Sequence, residues 1–280
     1  MNFILGFIGF LRRKAVVSAT LAFFILFFTE YNAYAFKINI DPPRVEVNIA
    51  AGTEEGGTIS VFNYAEYETM HVKVYVNDLV YLPDGSNDFL PEGTTPWSIS
   101  DWIKVGPTEF DLLPSEETKV RYVVNIPQNA KGGRYGVVFF EVSPPLEDFK
   151  GKSGATINIR LGSIFLLTAK GTEKYDGELQ DLKVDTPDKN GEFDVLCTIK
   201  NNGNVLIRPV GTVKIIDSSK AELYELKLNQ GKTGVLPDTN KQFLTRYTGK
   251  KLSPGEYVAQ AIIDFGGKDY LGGQTTFKIE

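Results

Sequence analysis

DLLPSEETKVRYVVNIPQNAKGGRYGVVFFEV, residues 111–142, has a counterpart in VLPDTNKQFLTRYTGKKLSPGEYVAQAIIDF, residues 235–265. In each, a Leu-Pro corner (Leu113-Pro114, Leu236-Pro237) leads into a strand of alternating polar and apolar residues. A Gly-x-Tyr (Gly133 to Tyr135, Gly255 to Tyr257) then opens an apolar strand. Pro and Gly are 19 residues apart in the first copy and 18 in the second. The near-equal spacing predicts two domains of one kind built on antiparallel strands, with residues 118–126 and 134–142 paired as a hairpin.

Working outward from the repeat, strand periodicity dominates from Phe36 onward, with no helical period of useful length. Lys37 to Ala50 is a first strand interrupted by Pro42-Pro43, which cannot donate to a ladder and mark an edge or a crossing between sheets. Thr58 to Asn63, Met70 to Tyr81 and Trp97 to Val105 follow, with Asp84 to Pro96 as a loop. In the second of these, Met70, Val72, Val74 and Val76 share one face and His71, Lys73 and Tyr75 the other. After the repeat's two strands, a polar turn, Pro144 to Gly154, leads to Thr156 to Ala169. The second domain offers strands at 179–184, 192–200, 211–217, 223–228, 242–247, 255–265 and 270–279. About seven strands per domain, separated by turn signals, predict an all-β chain of two immunoglobulin-like β-sandwiches in tandem. Their expected limits are 36–170 and 178–280, joined by a linker at 171–177, which is the expected hinge.

Residues 1–35 read as a secretory signal peptide. Arg12, Arg13 and Lys14 precede an apolar run, Ala15 to Phe28, and Ala33-Tyr34-Ala35 supplies a cleavage site. The run has 14 residues, short of the roughly 20 that span a bilayer, so cleavage after Ala35 is expected and an uncleaved signal anchor is the alternative. Cleavage leaves 27 basic and 34 acidic residues, a net charge near −7, which argues against nucleic acid or anionic lipid as the main partner and leaves an uncleaved signal anchor as the one expected membrane contact. The lone cysteine, Cys197, cannot form an internal disulfide and reads as a small buried hydrophobe.

The search for chemistry is negative. His71 is the single histidine, so no two-imidazole mechanism or zinc site is open, and its place on a polar strand face reads as exposure. No Gly-x-Ser-x-Gly elbow, Walker loop or Gly-x-Gly-x-x-Gly motif occurs. The acidic turns at Asp84 to Asp88 and Asp185 to Glu192 lack the spacing of a calcium-binding loop, and Asp, Asn and Gly are also ordinary turn residues. Leu236-Pro237-Asp238-Thr239-Asn240 looks like a wall-sorting signal, but it stands where Leu113-Pro114-Ser115 stands in the first copy and reads as a corner. The chain is expected to be no enzyme and to hold no cofactor or metal.

Asp41-Pro42-Pro43-Arg44-Val45-Glu46-Val47, Ile59 to Asn63, Phe110 to Pro114 and Val137 to Pro145 together resemble the N-terminal domain of periplasmic pilus-assembly chaperones of the PapD type, over roughly residues 37–168. That resemblance implies a protein that completes an incomplete pilin-like subunit by β-strand addition, with an arginine and a lysine anchoring the subunit's terminal carboxylate. Arg44 matches the arginine, and Ser163 stands where the lysine would be. Ile157, Ile159 and Leu161 alternate on the last strand of the first domain and are the candidate partner-binding residues beside Arg44. The second domain, in CTIKNNGNVLIRP (residues 197–209), is similar to immunoglobulin-like domains of bacterial surface proteins that interact with WxL-type wall proteins. The expected function is a non-enzymatic binding protein of the cell envelope, chaperone-like, located in the periplasm or at the cell surface. Its partner would be a secreted or surface subunit, pilin-like or wall-associated. The alternative is a structural adhesion module that binds envelope proteins or wall glycan through loops such as Asp84 to Pro96.

Overall fold

Two prolines divide the start of the first sandwich between its sheets. In the computed structural model, which describes residues 38–82, 86–143 and 158–280, β1 (Ile38–Asp41) pairs with β3 (Glu54–Asn63). β2 (Arg44–Ala50), two residues later, pairs with β10 (Ile159–Lys170) in the opposite sheet. Pro42 and Pro43 make the crossing, because neither can extend a ladder. One sheet has the order β1-β3-β8-β6, with β6 at Ile103–Gly106 and β8 at Glu117–Asn125. The other has the order β2-β10-β9-β4-β5, where β4 is Met70–Tyr81, β5 is Asn87–Pro91 and β9 is Gly133–Ser143. β7 (Glu109–Leu112) also pairs with β4. Apolar side chains from the two inner faces, among them Ile59, Val61, Val72, Val120, Phe140 and Phe165, form one core.

The second sandwich matches its expected strands closely. β11 (Gly177–Val184), β12 (Phe193–Asn201) and β15 (Asn240–Tyr247) form one sheet. β14 (Glu222–Leu228), β13 (Val210–Asp217), β16 (Gly255–Asp264) and β17 (Leu271–Ile279) form the other. Cys197 lies fully buried in the core between them, with Val195, Ile199, Val213 and Ala261.

Several expectations are corrected. Residues 118–126 and 134–142 are not a hairpin: β8 and β9 belong to opposite sheets, and residues 126–132 cross between them. The second copy behaves the same way with β15 and β16. Trp97 to Trp102 is a series of turns, since Ile99 O accepts from the amides of both Trp102 and Ile103, and only Ile103–Gly106 is strand. The loop before it contains β5, and β7 went unforeseen because four residues give alternation little to register. The first sandwich therefore has ten strands among the described residues instead of seven. The signal peptide, the turn Pro144 to Gly154, Asp84, Gly85 and Ile157 lie outside the described residues.

Each Leu-Pro corner is held by a buried asparagine at the end of a strand. Asn63 Nδ2 donates to the carbonyls of Leu112, Leu113 and Glu68, and its Oδ1 accepts from the Ala65 amide at 2.9 Å. Asn201 repeats the arrangement, with Nδ2 donating to Val205 and Val235 carbonyls and Oδ1 accepting from Gly203. The residue after each proline, Ser115 or Asp238, takes a left-handed conformation with φ of 59° or 56°. Asn201→Ala leaves buried carbonyls and an amide without partners, and each such group costs about 1–3 kcal/mol. Urea unfolding of that variant is expected to show a loss of at least about 2 kcal/mol; a midpoint equal to that of the parent chain would disprove the clamp.

Candidate functional site: the half-paired strand and the docked face

Inner-facing residues keep the same parity in both copies when counted from the corner proline. Val120 and Val138 lie 6 and 24 residues after Pro114, and Phe243 and Ala261 lie 6 and 24 after Pro237; all four are core residues. The Gly-x-Tyr does not keep that count, because it starts one residue later in the first copy. A one-residue shift turns a strand side chain to the opposite face. Tyr257 therefore points inward, its hydroxyl donating to Ser253 O at 2.8 Å. Tyr135 points outward, away from the core of its own sandwich.

Outward Tyr135 meets the second sandwich. Its hydroxyl oxygen accepts the Leu206 amide hydrogen at 2.6 Å, and it packs with Leu79, Leu166 and Leu236, beside Tyr81, Phe89, Trp97, Ile164 and Leu206. Burial pushes its phenol pKa well above the ordinary value, so the hydroxyl stays protonated. Gly133 N donates to Asn204 O at 2.9 Å, and a Cβ on Gly132, whose φ is 71°, would stand 2.4 Å from that same oxygen. Arg208 Nη2 meets Glu46 Oε1 at 2.7 Å. The connecting residues are also tied down: Asn204 Nδ2 donates to Thr172 O, its Oδ1 accepts from Lys174 N, and Gly132 N donates to Thr172 Oγ1. The expected free hinge is replaced by a hydrogen-bonded junction.

β10 carries the candidate site residues Ile159 and Leu161. Along one side it pairs with β9 from Ile159 to Thr168, but along the other it pairs with β2 only from Ile164 onward. Ile164 N donates to Pro43 O, and Ser163 Oγ to Pro42 O at 2.8 Å. Backbone groups alternate sides along a strand, so the N–H and C=O of Gly162 and Arg160 point to the side where β2 is absent. No described strand pairs with them there. Ile159 and Leu161 are half-buried on the inner face, where Leu161 packs against the first core. Ser163, at the place of the missing lysine, is fully buried.

Arg44 opens β2, opposite Ile164 and on the outer face, so its side chain does not share a face with Ile159 and Leu161. It does stand where the open side of β10 ends. Burial raises the Tyr81 pKa, and the positive charges of Arg44 and Arg208 act against that rise. Arg160 lies with its guanidinium carbon 4.8 Å from the centre of the Phe139 ring, beside Tyr75, whose hydroxyl donates to Glu141. The side chains of Arg160 and Ser163 fall on opposite faces, as their odd spacing requires.

The remaining candidates carry no reactive geometry. Cys197 is fully buried, and desolvation pushes its thiol up to about 12. No group of three or more His, Cys, Asp and Glu able to hold a metal occurs among the described residues. Asp78 is a buried carboxylate that sequence reading passed over. Its Oδ2 accepts from the amide and hydroxyl of Thr95 and so anchors residues 92–98, while Oδ1 has no partner among the described residues. His71 is not simply exposed: Nδ1 lies 2.8 Å from Asp111 Oδ1 and Nε2 2.7 Å from Glu109 Oε1, both on β7. The hydrogen bond to Asp111 chiefly raises its pKa above 6.5, against the effect of burial and with help from Glu109.

No protein-family model matches the chain, and no curated protein does. Solved structures do. One is the crystal structure of the class 5 fimbriae chaperone CfaA, 14% identical, covering 85% of this chain and 98% of that one at a TM-score of 0.45. Another is the Salmonella enterica SafA pilin in complex with the SafB chaperone, 17% identical, covering 88% and 98% at a TM-score of 0.40. A third is the E. coli chaperone DraB, 15% identical, covering 88% and 98% at a TM-score of 0.39.

Two measurements check the contacts described here. Tyr135→Phe removes the acceptor for the Leu206 amide at a desolvated junction; a loss of about 1–3 kcal/mol and faster hydrogen exchange at Leu206 are expected, whereas unchanged exchange would refute the contact. A raised His71 pKa means that the protonated bridge to β7 is fully formed below the unfolded value of 6.5 and is lost as pH rises through the folded value. An NMR titration should therefore find its midpoint above 6.5. Asp111→Asn should lower that midpoint, with a stability effect below about 1 kcal/mol because the carboxylates are exposed.

Proposed function

We propose that this chain is a non-enzymatic, chaperone-like binding protein of the cell envelope that receives an extended segment of a secreted, pilin-like partner along the open side of β10. The observation that carries the reading is the partial pairing of β10, which leaves Arg160 and Gly162 paired with β9 on one side and without a described strand partner on the other, in line with β2. An unpaired strand edge is a template for another strand. A segment lying there is in line with β2, so one of its ends arrives at Pro43 and Arg44. If that end is a chain terminus with its carboxylate, Arg44 is the group placed to meet it, and a charged hydrogen bond of that kind contributes about 1.5–3 kcal/mol.

Ile159 and Leu161 are half-buried at the inner side of this edge and supply apolar contact for alternate residues of the added strand. Burying each more fully contributes at most about 1.5–3 kcal/mol before ordering costs. Ile157 belongs to the same alternation in sequence. Secretion to the periplasm or cell surface, after removal of residues 1–35, belongs to this reading. The hydrogen-bonded junction with the second sandwich supports it as well, since it ties the strand-bearing sheet to a second body.

The test is co-purification of partners from periplasm with three variants. Arg160→Pro removes the amide that faces the open side while leaving the ladder to β9 in place, because the β9-facing groups belong to the odd-numbered residues. Loss of the partner is expected with Arg160→Pro and with Ile159→Asp, and weaker retention with Arg44→Ala. An unchanged partner set in all three sinks the strand-addition reading.

A further inference from the structure

A strand at the edge of a sheet offers its unpaired backbone to any other strand unless charge, a bulge or brevity prevents it. Most edges here have such protection. β14 carries Glu222, Glu225 and Lys227, and its ladder to β13 is interrupted by a register shift. β11 carries Glu178, Asp181 and Lys183 and an irregularity between Leu179 and Asp181. β17 has none of these devices. Its nine residues pair without interruption along β16, and its one charge is Lys278, next to its end. Among the described residues no strand pairs with its other side, which at about 3.4 Å per residue is an edge about 30 Å long. The inner face of β17 is already filled: Phe277 packs against Phe193 and Tyr257, and Leu179 occupies the space where a Cβ on Gly273 would stand. What β17 leaves open is its backbone.

The strand is complementary to itself. An antiparallel pair that uses all nine residues sets Thr275 opposite Thr275 of a second copy. Every opposed pair then has the same parity, so the inner faces of both copies lie on one side of a continuous sheet. On that side Leu271 stands opposite Ile279, and Gly273 opposite Phe277, which places an aromatic ring beside a bare glycine. On the outer side Gln274 stands opposite Thr276, and Gly272 opposite Lys278. The register partner of Gly272 on β16 is Ile262, 43% exposed, and the aliphatic stem of Lys278 from the second copy covers it. No like charges face each other in this register, since Lys278 meets Gly272 and Glu280 meets Tyr270.

We propose that two copies of this chain associate through β17, in register about Thr275, and join two four-stranded sheets into one of eight strands. A two-fold pair occupies the edge of both copies and leaves none from which the assembly could grow. The pairing belongs to the second sandwich and the open side of β10 to the first, so neither reading depends on the other.

The test measures the mass of the full chain by sedimentation over a range of protein concentrations. Gln274→Lys with Thr276→Lys sets like charges directly opposite each other in the pair, and Gln274→Glu with Thr276→Glu does the same with the other sign. Both positions are exposed, so both chains are expected to keep the urea midpoint of the parent. The parent chain is expected to reach twice the monomer mass, and each variant alone to associate at least about tenfold more weakly. An equal mixture of the two variants is expected to recover the dimer, because opposite charges then face each other. The proposal is overturned if the parent stays monomeric at the highest concentration, if either variant dimerises as the parent does, if the mixture recovers nothing, or if the mass rises past that of a dimer. It is also overturned if the amides of β17 gain protection from hydrogen exchange only when a different envelope protein is present, because that protein is then the occupant of the edge.

Discussion

A proline has no amide hydrogen, and the pair at 42–43 therefore ends one ladder and begins another. From that constraint follow the assignment of β1 and β2 to different sheets, the late start of β2 opposite Ile164, and the open backbone at Arg160 and Gly162. Had the chain run on in one sheet, β10 would have been either paired along its whole length or a bare edge. The half-paired state instead leaves a short stretch of β10 beyond the start of β2, with Arg44 where that stretch ends.

The second organising contact is the outward Tyr135. A tyrosine turned into its own sandwich, as Tyr257 is, closes a local corner through its hydroxyl. Turned out, the same residue type offers its hydroxyl oxygen to a backbone amide of the neighbouring sandwich and its ring to Leu79, Leu166 and Leu236. One residue of spacing separates these outcomes, because strand side chains alternate with a period of two. The duplicated segment is thus a folding element in one copy and a docking element in the other, and the junction it makes ties the sheet that carries β10 to the second sandwich.

Much of the fold was legible. The seven strands of the second sandwich follow the alternation of Phe193, Val195, Cys197 and Ile199 and its equivalents, since each strand is buried on one face only. The crossing at Pro42-Pro43 was legible as well, because the absent donor is a property of the residue itself. The pairing of β8 with β9 was misread, for alternation reports which face is buried and carries nothing about which sheet a strand joins. At the candidate site, Ile159, Leu161 and Arg44 were picked out by pattern and resemblance, but their side chains lie on two faces of the sheet. His71 was read as exposed because Glu109 and Asp111 are nearly forty residues away along the chain.

By itself the sequence determined the all-β class, the duplicated corner, the breaks in pairing and the burial of Cys197, all of which depend on local chemistry and a period of two. Only the tertiary structure decided that β2 pairs with β10 from Ile164 onward and not before it, that Asn63 and Asn201 clamp the corners, and that Tyr135 joins the sandwiches. Each of these depends on which strands become neighbours across a sheet or a junction, and that is settled by the packing of distant segments against one another.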